Sequence, residues 1–418
     1  MSSTPHRDAL LAGWPAALLL IGAGIVSAFQ VGKAPAALEE VRRSLELSLE
    51  AASWLLSAIG LVGALIGTAA GSAADRLGAR RVAIAGLLLQ GAAAFAATLV
   101  PNVALLFAMR VLEGLGFQAT TVAAPALIAA TMPERSRAAA LAAWSTFMPL
   151  GICLALVAAP AVLPHGWQAL WQLSGVLAFA FAMLVLACVP RGAQATLQRP
   201  LAADLRDTVR SPGPRLLALL FLLFTTAYFA LVGFLPALLA QAGFRDAAET
   251  SRLAGWAVAA GAGGNLAGAW LLARGVRPMR LVGLTFALLA ASGAGVLLLD
   301  AGPQLRYALC LAFGGVAGLL PAALFAQVPE HAPRPELAGT TTGLMMQGNN
   351  IGLVLGPALA GVALARGGWA AVALLVALPC AAGIAMLAGS ARSGHTRIPR
   401  SPRFDRRDSH AKQAGHRS

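Results

Sequence analysis

The sequence predicts an all-α integral membrane protein in which twelve transmembrane helices form two bundles of six. The first observation is composition: of 418 residues, 58% are hydrophobic, 11% are charged and 45 are glycine. Soluble domains have only about 45–50% apolar residues, glycine included, and about 25% charged residues. The second observation is continuous apolar runs such as 52–71 and 104–130. Such runs predict membrane helices, because a helix of about 20 residues crosses the bilayer with its backbone hydrogen bonds satisfied.

The predicted spans divide into two sets around a polar connection. The division predicts an N-terminal bundle over 1–190, a cytoplasmic linker over 191–214, a C-terminal bundle over 215–390 and a basic, disordered cytoplasmic tail over 391–418. Apolar residues recur every four positions in the linker, at Leu201, Leu205 and Val209, which predicts a short helix on the membrane surface. The spans are predicted near 11–31, 52–73, 82–100, 103–131, 138–162, 168–189, 215–240, 253–273, 280–299, 304–328, 339–365 and 368–390.

The positions of the basic residues predict the orientation in the bilayer. Most of the 31 Lys and Arg residues fall in the loops, linker and tail that lie inside if the N-terminus is cytoplasmic. Cytoplasmic loops carry such an excess of basic residues in membrane proteins generally, so both termini are predicted to be cytoplasmic. The same distribution explains the formal net charge of +14 without nucleic-acid binding.

Several classes of activity are excluded by what the chain lacks. No loop is large enough for a catalytic domain, and no G-x-x-x-x-G-K-[ST] phosphate loop occurs. ATP hydrolysis by this chain is therefore excluded, and uphill movement of a solute would need an ion gradient or an exchanged solute. The four cysteines lie in apolar runs without metal-ligand spacing, and the six histidines lie outside those runs. We expect no enzyme activity, no cofactor and no metal site.

The loop between the second and third spans carries the most specific motif. Residues 71–81 read GSAADRLGARR, and they closely resemble the loop signature of the major facilitator superfamily, G-x-L-A-D-R-x-G-R-[KR]-x. Ala73 and Ala79 replace a leucine and an arginine of that signature. The glycines permit a tight turn and close approach. In the family this loop latches the two halves in one access state, and Asp75 would be attracted to the N-terminus of the eleventh span. The matching residues are Gly71, Asp75, Arg76, Gly78 and Arg80.

The fourth span contains a second motif. Arg110, Glu113, Gly114 and Gly116 resemble the R-x-x-[QE]-G-x-G pattern of the same family. A charge in mid-membrane costs about 2.5–3.5 kcal/mol, and two residues three apart on a helix can pair. Either the pair is neutralised and fixes packing, or Arg110 contacts the substrate or modulates a proton site. In the second case Glu113 is its partner or the proton carrier.

Lys33, at the outer end of the first span, has two interpretations. Its ammonium can extend to the membrane interface, or it can point inward. In the second case Lys33 and Arg110 would make the outer cavity positive and favour an anionic solute.

Polar residues elsewhere in the spans either line a cavity or join two helices. Gln347 and Asn350, three apart on one helix face, are the stronger candidates for the cavity. The other polar residues are Gln90, Gln118, Thr225, Thr226, Tyr228, Asn265 and Asn349.

A stripe of small residues in the second span, Gly63, Gly67 and Gly71, predicts close helix packing.

The resemblance covers about residues 11–390 and implies a solute site between two six-helix bundles, with alternating access by rocking of the halves. It implies a permease for a small organic solute, proton-coupled and monomeric, in the lipid bilayer of a bacterial inner membrane. Segments 147–151 and 234–236 also resemble the cyanate-transporter branch. The alternatives are a drug or metabolite exporter of the same fold, and a channel or non-transporting sensor. The first span has no acidic residue to support an exporter.

Overall fold

The protein is described by a computed structural model over residues 11–99, 102–190, 201–244, 246–300, 302–334 and 337–392. These residues form α-helices and short 3-10 turns without a β-strand, which confirms the all-α prediction. One compact unit extends to Ile384, and a second begins at Ala385. The helices are α1 Trp14–Ala36, α2 Leu38–Ser44, α3 Leu49–Ser57, α4 Leu61–Leu77, α5 Ala79–Ala96, α6 Val103–Thr131, α7 Glu134–Trp144, α8 Phe147–Val162, α9 Trp167–Cys188, α10 Leu201–Arg210, α11 Pro212–Val232, α12 Leu235–Gln241, α13 Ala247–Ala273, α14 Pro278–Leu298, α15 Pro303–Ala317, α16 Leu319–His331 and α17 Ala338–Arg392.

Ten helical stretches of the described chain are long and apolar enough to cross a membrane. The predicted spans 339–365 and 368–390 are continuous in α17, which is interrupted at Gly368 by non-helical backbone (φ 61°, ψ −159°). The predicted span 253–273 falls in the 27-residue helix α13, which is not among the ten. The number of twelve spans and their division into two bundles therefore remain predictions.

Several predicted spans consist of two consecutive helices. A 3-10 turn at Ala58–Gly60 separates α3 from α4, and α11 ends one residue before Gly233. Likewise α15 ends one residue before Gly318. Pro236 and Pro321 lie three residues after Gly233 and Gly318, and each lacks the backbone N–H that would bond to the carbonyl four residues earlier, which is the last residue of the preceding helix.

The linker is helical where it is described. The helix α10 confirms the predicted helix over Leu201, Leu205 and Val209, while residues 191–200 and the tail from 393 lie outside the described residues. Arg334, in the segment after α16, lies 3.3 Å from Asp204 and 3.0 Å from Asp207. The linker helix is thus tied by ion pairs to the loop between α16 and α17.

The helices approach one another through glycine. On the predicted stripe of α4, a Cβ at Gly67 would lie 2.9 Å from the Cβ of Gln347, and one at Gly63 would collide with the Asn350 side chain. Close packing of α4 on α17 is therefore confirmed at both positions, while Gly71 lies outside the residues whose surroundings are described. A Cβ at Gly264 of α13 would collide with the carbonyl of Gly315. These contacts set the helix positions around the site.

Candidate functional site

Three charged side chains meet where α1, α6 and α9 pack together. Lys33 Nζ donates a hydrogen bond of 2.7 Å to Oε1 of Glu113, and Arg110 Nη1 donates one of 2.6 Å to Oε2 of the same carboxylate. All three side chains are completely buried. One carboxylate therefore faces two cations, and the cluster carries one positive charge in excess.

Neutral partners complete the surroundings of Lys33. Its Nζ also donates to Oε1 of Gln30 at 2.5 Å and to Oγ of Ser174 at 2.9 Å. It lies 4.6 Å from the centre of the Trp171 ring, a distance at which a cation is attracted to the ring face. Lys33 therefore points into the helix bundle, while its effect on an outer cavity stays a prediction. Its three ammonium hydrogens have three acceptors.

Arg110 connects three segments of the chain. Its Nη1 donates to the carbonyl of Gln30 at 2.7 Å and its Nε to that of Leu55 at 3.5 Å. Its Nη2 is buried without a hydrogen-bond partner in the described structure. The glycine after Glu113 permits this arrangement, since a Cβ at Gly114 would collide with the carbonyl of Ile59. The prediction that Gly114 lets another backbone approach is confirmed.

A cavity lies between α8 and the helices α11, α13, α15, α16 and α17. The cavity has a volume of about 80 Å³ and lies in a partly open cleft whose empty space, solvent included, is about 660 Å³. Tyr228 stacks on Phe224 with ring centroids 5.7 Å apart and on Phe313 at 6.0 Å. Among the described residues, no charged side chain lines the cavity. The aromatic residues of its wall are Phe147, Phe221, Phe224, Tyr228, Phe229 and Phe325.

A few polar groups lie in this aromatic wall. Thr225 Oγ1 donates to Oδ1 of Asn349 at 2.8 Å, which joins α11 to α17. Asn265 Nδ2 donates to the carbonyl of Ser145 at 3.0 Å, while its Oδ1 is buried without a partner in the described structure. With the Tyr228 hydroxyl, these groups can hydrogen-bond the polar part of a solute whose ring packs on the phenyl faces.

The two predicted cavity residues of α17 lie elsewhere. Gln347 Nε2 donates to the carbonyl of Ala64 at 2.8 Å, and Thr68 Oγ1 donates to Gln347 Oε1. Asn350 Nδ2 donates to Oε1 of Gln118 at 2.8 Å. Neither Gln347 nor Asn350 is in the cavity wall, so the structure places both in contacts between helices. Asn349, between them in sequence, lines the cavity instead.

The loop motif is described in part. Gly78 has a φ of 88° between α4 and α5, a conformation that favours glycine, so the predicted tight turn is confirmed. Arg80 donates to the carbonyl of Leu186 at the end of α9. The surroundings of Gly71 and the side chains of Asp75 and Arg76 lie outside the described residues. The latch role of this loop stays a prediction.

The aromatic wall is not evident from the sequence. Phe221, Phe224 and Tyr228 are spaced three and four apart on α11, which places them on one helix face. This periodicity was a usable signal, but it is hidden in a span that is apolar all round. Ser174 and Trp171 on α9 were also missed as partners of Lys33, because nothing in their local sequence relates them to α1.

A bundle of apolar helices that encloses a cavity and buries paired charges has the features of a multi-pass membrane transporter. The family model of the Major Facilitator Superfamily matches residues 19–352. The chain belongs to this superfamily and is a secondary transporter, as the loop motif indicated.

Known proteins resemble this chain to different extents. It is 28% identical over 324 residues to the 3-(3-hydroxy-phenyl)propionate transporter of Escherichia coli (strain K12), a match that covers 75% of this chain and 78% of that protein. It is 29% identical over 164 residues to the 4-hydroxybenzoate transporter PcaK of Pseudomonas putida, covering 38% and 36%. It is 30% identical over 116 residues to the multidrug resistance protein Stp of Mycobacterium tuberculosis (strain CDC 1551 / Oshkosh), covering 28% and 22%. The resemblance to cyanate transporters stays a prediction.

Proposed function

We propose that this transporter carries a small aromatic carboxylate, driven by the proton gradient, through alternating access of two six-helix bundles. The observation that carries the proposal is the cavity wall, which presents several phenyl faces and a few neutral polar groups. Aromatic rings attract one another in offset-stacked or edge-on arrangements with centroids about 4.5–7 Å apart. A solute ring packed against Phe224 and Tyr228 would continue the stack that these residues form.

The relative from Escherichia coli, which matches 75% of this chain, supports an aromatic acid as the substrate. The solute in its name has a phenyl ring, a hydroxyl group and a carboxylate. The 4-hydroxybenzoate named for the Pseudomonas putida transporter has the same three groups. The drug-resistance relative matches a much smaller part of this chain. Uptake of an aromatic acid is therefore favoured over drug export.

The buried charges support an anionic solute. The cavity wall offers no charged side chain, and a carboxylate removed from water needs donors or an opposite charge. Tyr228 and the amide of Asn349 supply donors at the wall. The excess positive charge among Lys33, Arg110 and Glu113 favours a negative solute in the same protein interior.

The proposal includes an architecture of twelve membrane spans in two bundles. The helix α13 and the two parts of α17 on either side of Gly368 would bring the spans to twelve, with bundles over 1–190 and 215–390. The latch role of Gly71, Asp75, Arg76, Gly78 and Arg80 is part of the proposal. So are a monomeric state, a bacterial inner membrane and cytoplasmic termini.

The test is uptake into proteoliposomes that contain the purified full-length protein. Radiolabelled 4-hydroxybenzoate and 3-(3-hydroxyphenyl)propionate are supplied outside, with and without a proton gradient, and benzylamine serves as a cationic aromatic control. We expect saturable uptake of at least one acid that collapses when a protonophore dissipates the gradient. Absence of acid uptake would refute the proposal. Drug resistance without uptake would favour the exporter, and non-saturating flux would favour a channel.

A further inference from the structure

We propose that Lys33 is the group that binds and releases the coupling proton. This assignment rests on the proposed function, because it names the site through which a proton-driven carrier would work. It differs from the alternative stated in the sequence analysis, in which Glu113 carries the proton.

The cluster becomes electrically neutral when Lys33 loses one proton, and no other proton of the cluster can be lost with this result. Arg110 stays protonated in proteins, and Glu113 accepts a hydrogen bond from each of the two cations. Adding a proton to Glu113 would leave two buried cations without a counter-ion, which is the more costly state. Removing one from Lys33 leaves the ion pair between Arg110 and Glu113. The cluster therefore alternates between one positive charge and none through Lys33.

Within the described parts of the chain, no further charged side chain forms an ion pair with Lys33, Arg110 or Glu113. The helix α2, which follows α1, carries Glu39, Glu40, Arg42 and Arg43, and Glu39 pairs with both arginines. Among the described residues, α8, α9 and α12, which pack against α1, contain no charged residue, and α6 contains only Arg110 and Glu113. The other helices that contact α1 bring charges that are exposed or lie at the far end of a helix. These are Glu50 on α3, Arg80 and Arg81 on α5, and Glu134, Arg135 and Arg137 on α7.

The surroundings of Lys33 suit both protonation states. The ammonium form has the acceptors Gln30 Oε1, Glu113 Oε1 and Ser174 Oγ for its three hydrogens. On release, one N–H bond breaks, its electron pair stays on Nζ, and the proton passes to water of the compartment to which the carrier is open. The Ser174 hydroxyl, which now donates to the carbonyl of Trp171 at 2.6 Å, can rotate and donate to that electron pair. A hydroxyl can serve in both ways because it is donor and acceptor.

Burial connects this chemistry to transport. None of the three charged side chains is exposed, so the proton exchanges only in conformations that open the cluster. A carboxylate solute inside the protein balances the protonated cluster, whereas the empty carrier is neutral only when Lys33 has lost its proton. Proton and anion therefore move in the same direction.

Two assays on the same proteoliposomes separate coupling from transport. One measures accumulation of labelled 4-hydroxybenzoate driven by a proton gradient, and the other measures counterflow of the same acid without a gradient. We expect Lys33→Arg, which keeps the charge and cannot release it, to lose accumulation above the equilibrium level while counterflow remains measurable. Lys33→Met, which is always neutral, serves as the second variant and is expected to lose accumulation as well. A thermal melt of each variant checks that it is folded.

The outcomes distinguish this proposal from its alternatives. If Lys33→Arg concentrates the acid as the wild type does, Lys33 is not the carrier and the proposal is wrong. If Lys33→Arg keeps accumulation and the single variant Glu113→Gln loses it, the Glu113 carboxylate carries the proton. If the wild type transports neither this acid nor 3-(3-hydroxyphenyl)propionate, the proposed function has failed. If the wild type transports an acid without using the gradient, the coupling has failed and the aromatic-acid assignment stands.

Discussion

The ammonium nitrogen of Lys33 lies 2.7 Å from a carboxylate oxygen of Glu113, although 80 positions separate the two residues along the chain. Neither side chain is exposed. The second oxygen of the same carboxylate holds Arg110. One negative group therefore supports two buried positive groups, and it joins the first predicted span to the fourth.

Glu113→Gln should destabilise the protein strongly, because it leaves both cations buried without a counter-charge. Breaking a buried ion pair by removing one partner costs about 3–5 kcal/mol, and we expect a loss of this size in the free energy of unfolding in detergent. The double variant Lys33→Met with Glu113→Gln removes one of the stranded cations and should lose less. A double variant as unstable as the single one would contradict this account of the cluster.

Phe224→Leu should weaken binding of aromatic acids, because it removes a ring that stacks on Tyr228 in the cavity wall. An aromatic pair is worth about 0.5–1.5 kcal/mol beyond the area it buries, which corresponds to about a 2- to 12-fold rise in KM for uptake. Phe179→Leu is the matched control, since Phe179 stacks on Phe95 at 5.9 Å outside the cavity wall. Equal KM values for the two variants would show that the wall does not bind the ring.

Gly264→Ala and Gly263→Ala should differ although the residues are adjacent in α13. A Cβ at Gly264 would collide with the carbonyl of Gly315, whereas one at Gly263 would have no atom within 4 Å. Forcing a group into close packing costs about 1–3 kcal/mol, while alanine in an unobstructed helix position is favoured by about 1 kcal/mol over glycine. Thermal unfolding should therefore shift downward for Gly264→Ala alone. Equal shifts would mean that α13 and α15 are not in contact there.

A crosslink between α4 and α17 should stop transport if these helices separate during the cycle. We would replace the native cysteines with alanine, introduce Thr68→Cys with Gln347→Cys, and join them with a short reducible crosslinker. Uptake should fall on crosslinking and return on reduction. Thr98→Cys with Gln172→Cys, at a contact of 3.4 Å within the N-terminal half, is the control and should stay active. Unchanged solute uptake by the protein crosslinked between positions 68 and 347 would show that α4 and α17 do not separate there during transport.

Asp75→Asn tests the latch implied by the loop motif. Without the carboxylate, attraction to a helix N-terminus falls by about 0.3–1 kcal/mol, which is enough to change the ratio of inward- and outward-facing states. Labelling of single cysteines from each side measures this ratio, and uptake measures its effect. An unchanged ratio together with an unchanged rate would remove Asp75 from the mechanism.

The helices were predictable because continuous apolar runs have few other stable structures in lipid. The spacing of Arg110 and Glu113 in the sequence also predicts their pairing, since residues three apart share a helix face. The direction of Lys33 was not predictable, because its burial depends on Ser174 and Trp171 from a helix about 140 positions away. The same holds for the cavity. Phe221 and Phe325 meet only after α11 and α16 pack, with ring centroids 6.3 Å apart.

The polar face of α17 shows the limit of periodicity most directly. Gln347 and Asn350 share a face, but that face turns toward α4, where Gly67 and Gly63 leave room for their amides. Asn349 turns toward α11 and the cavity. A helical period states which residues lie together, whereas the identity of the neighbour on each side is set by the packing of the whole bundle.

Phenyl faces in the cavity wall constrain the plane of a guest ring but leave its rotation within that plane free. Stacking depends weakly on where a substituent sits on the rim, whereas a directed hydrogen bond or a fixed cation would discriminate between regioisomers. The proposed aromatic-acid carrier would therefore distinguish regioisomers through the few polar groups of its wall, Thr225, Asn265 and Asn349, and not through its rings.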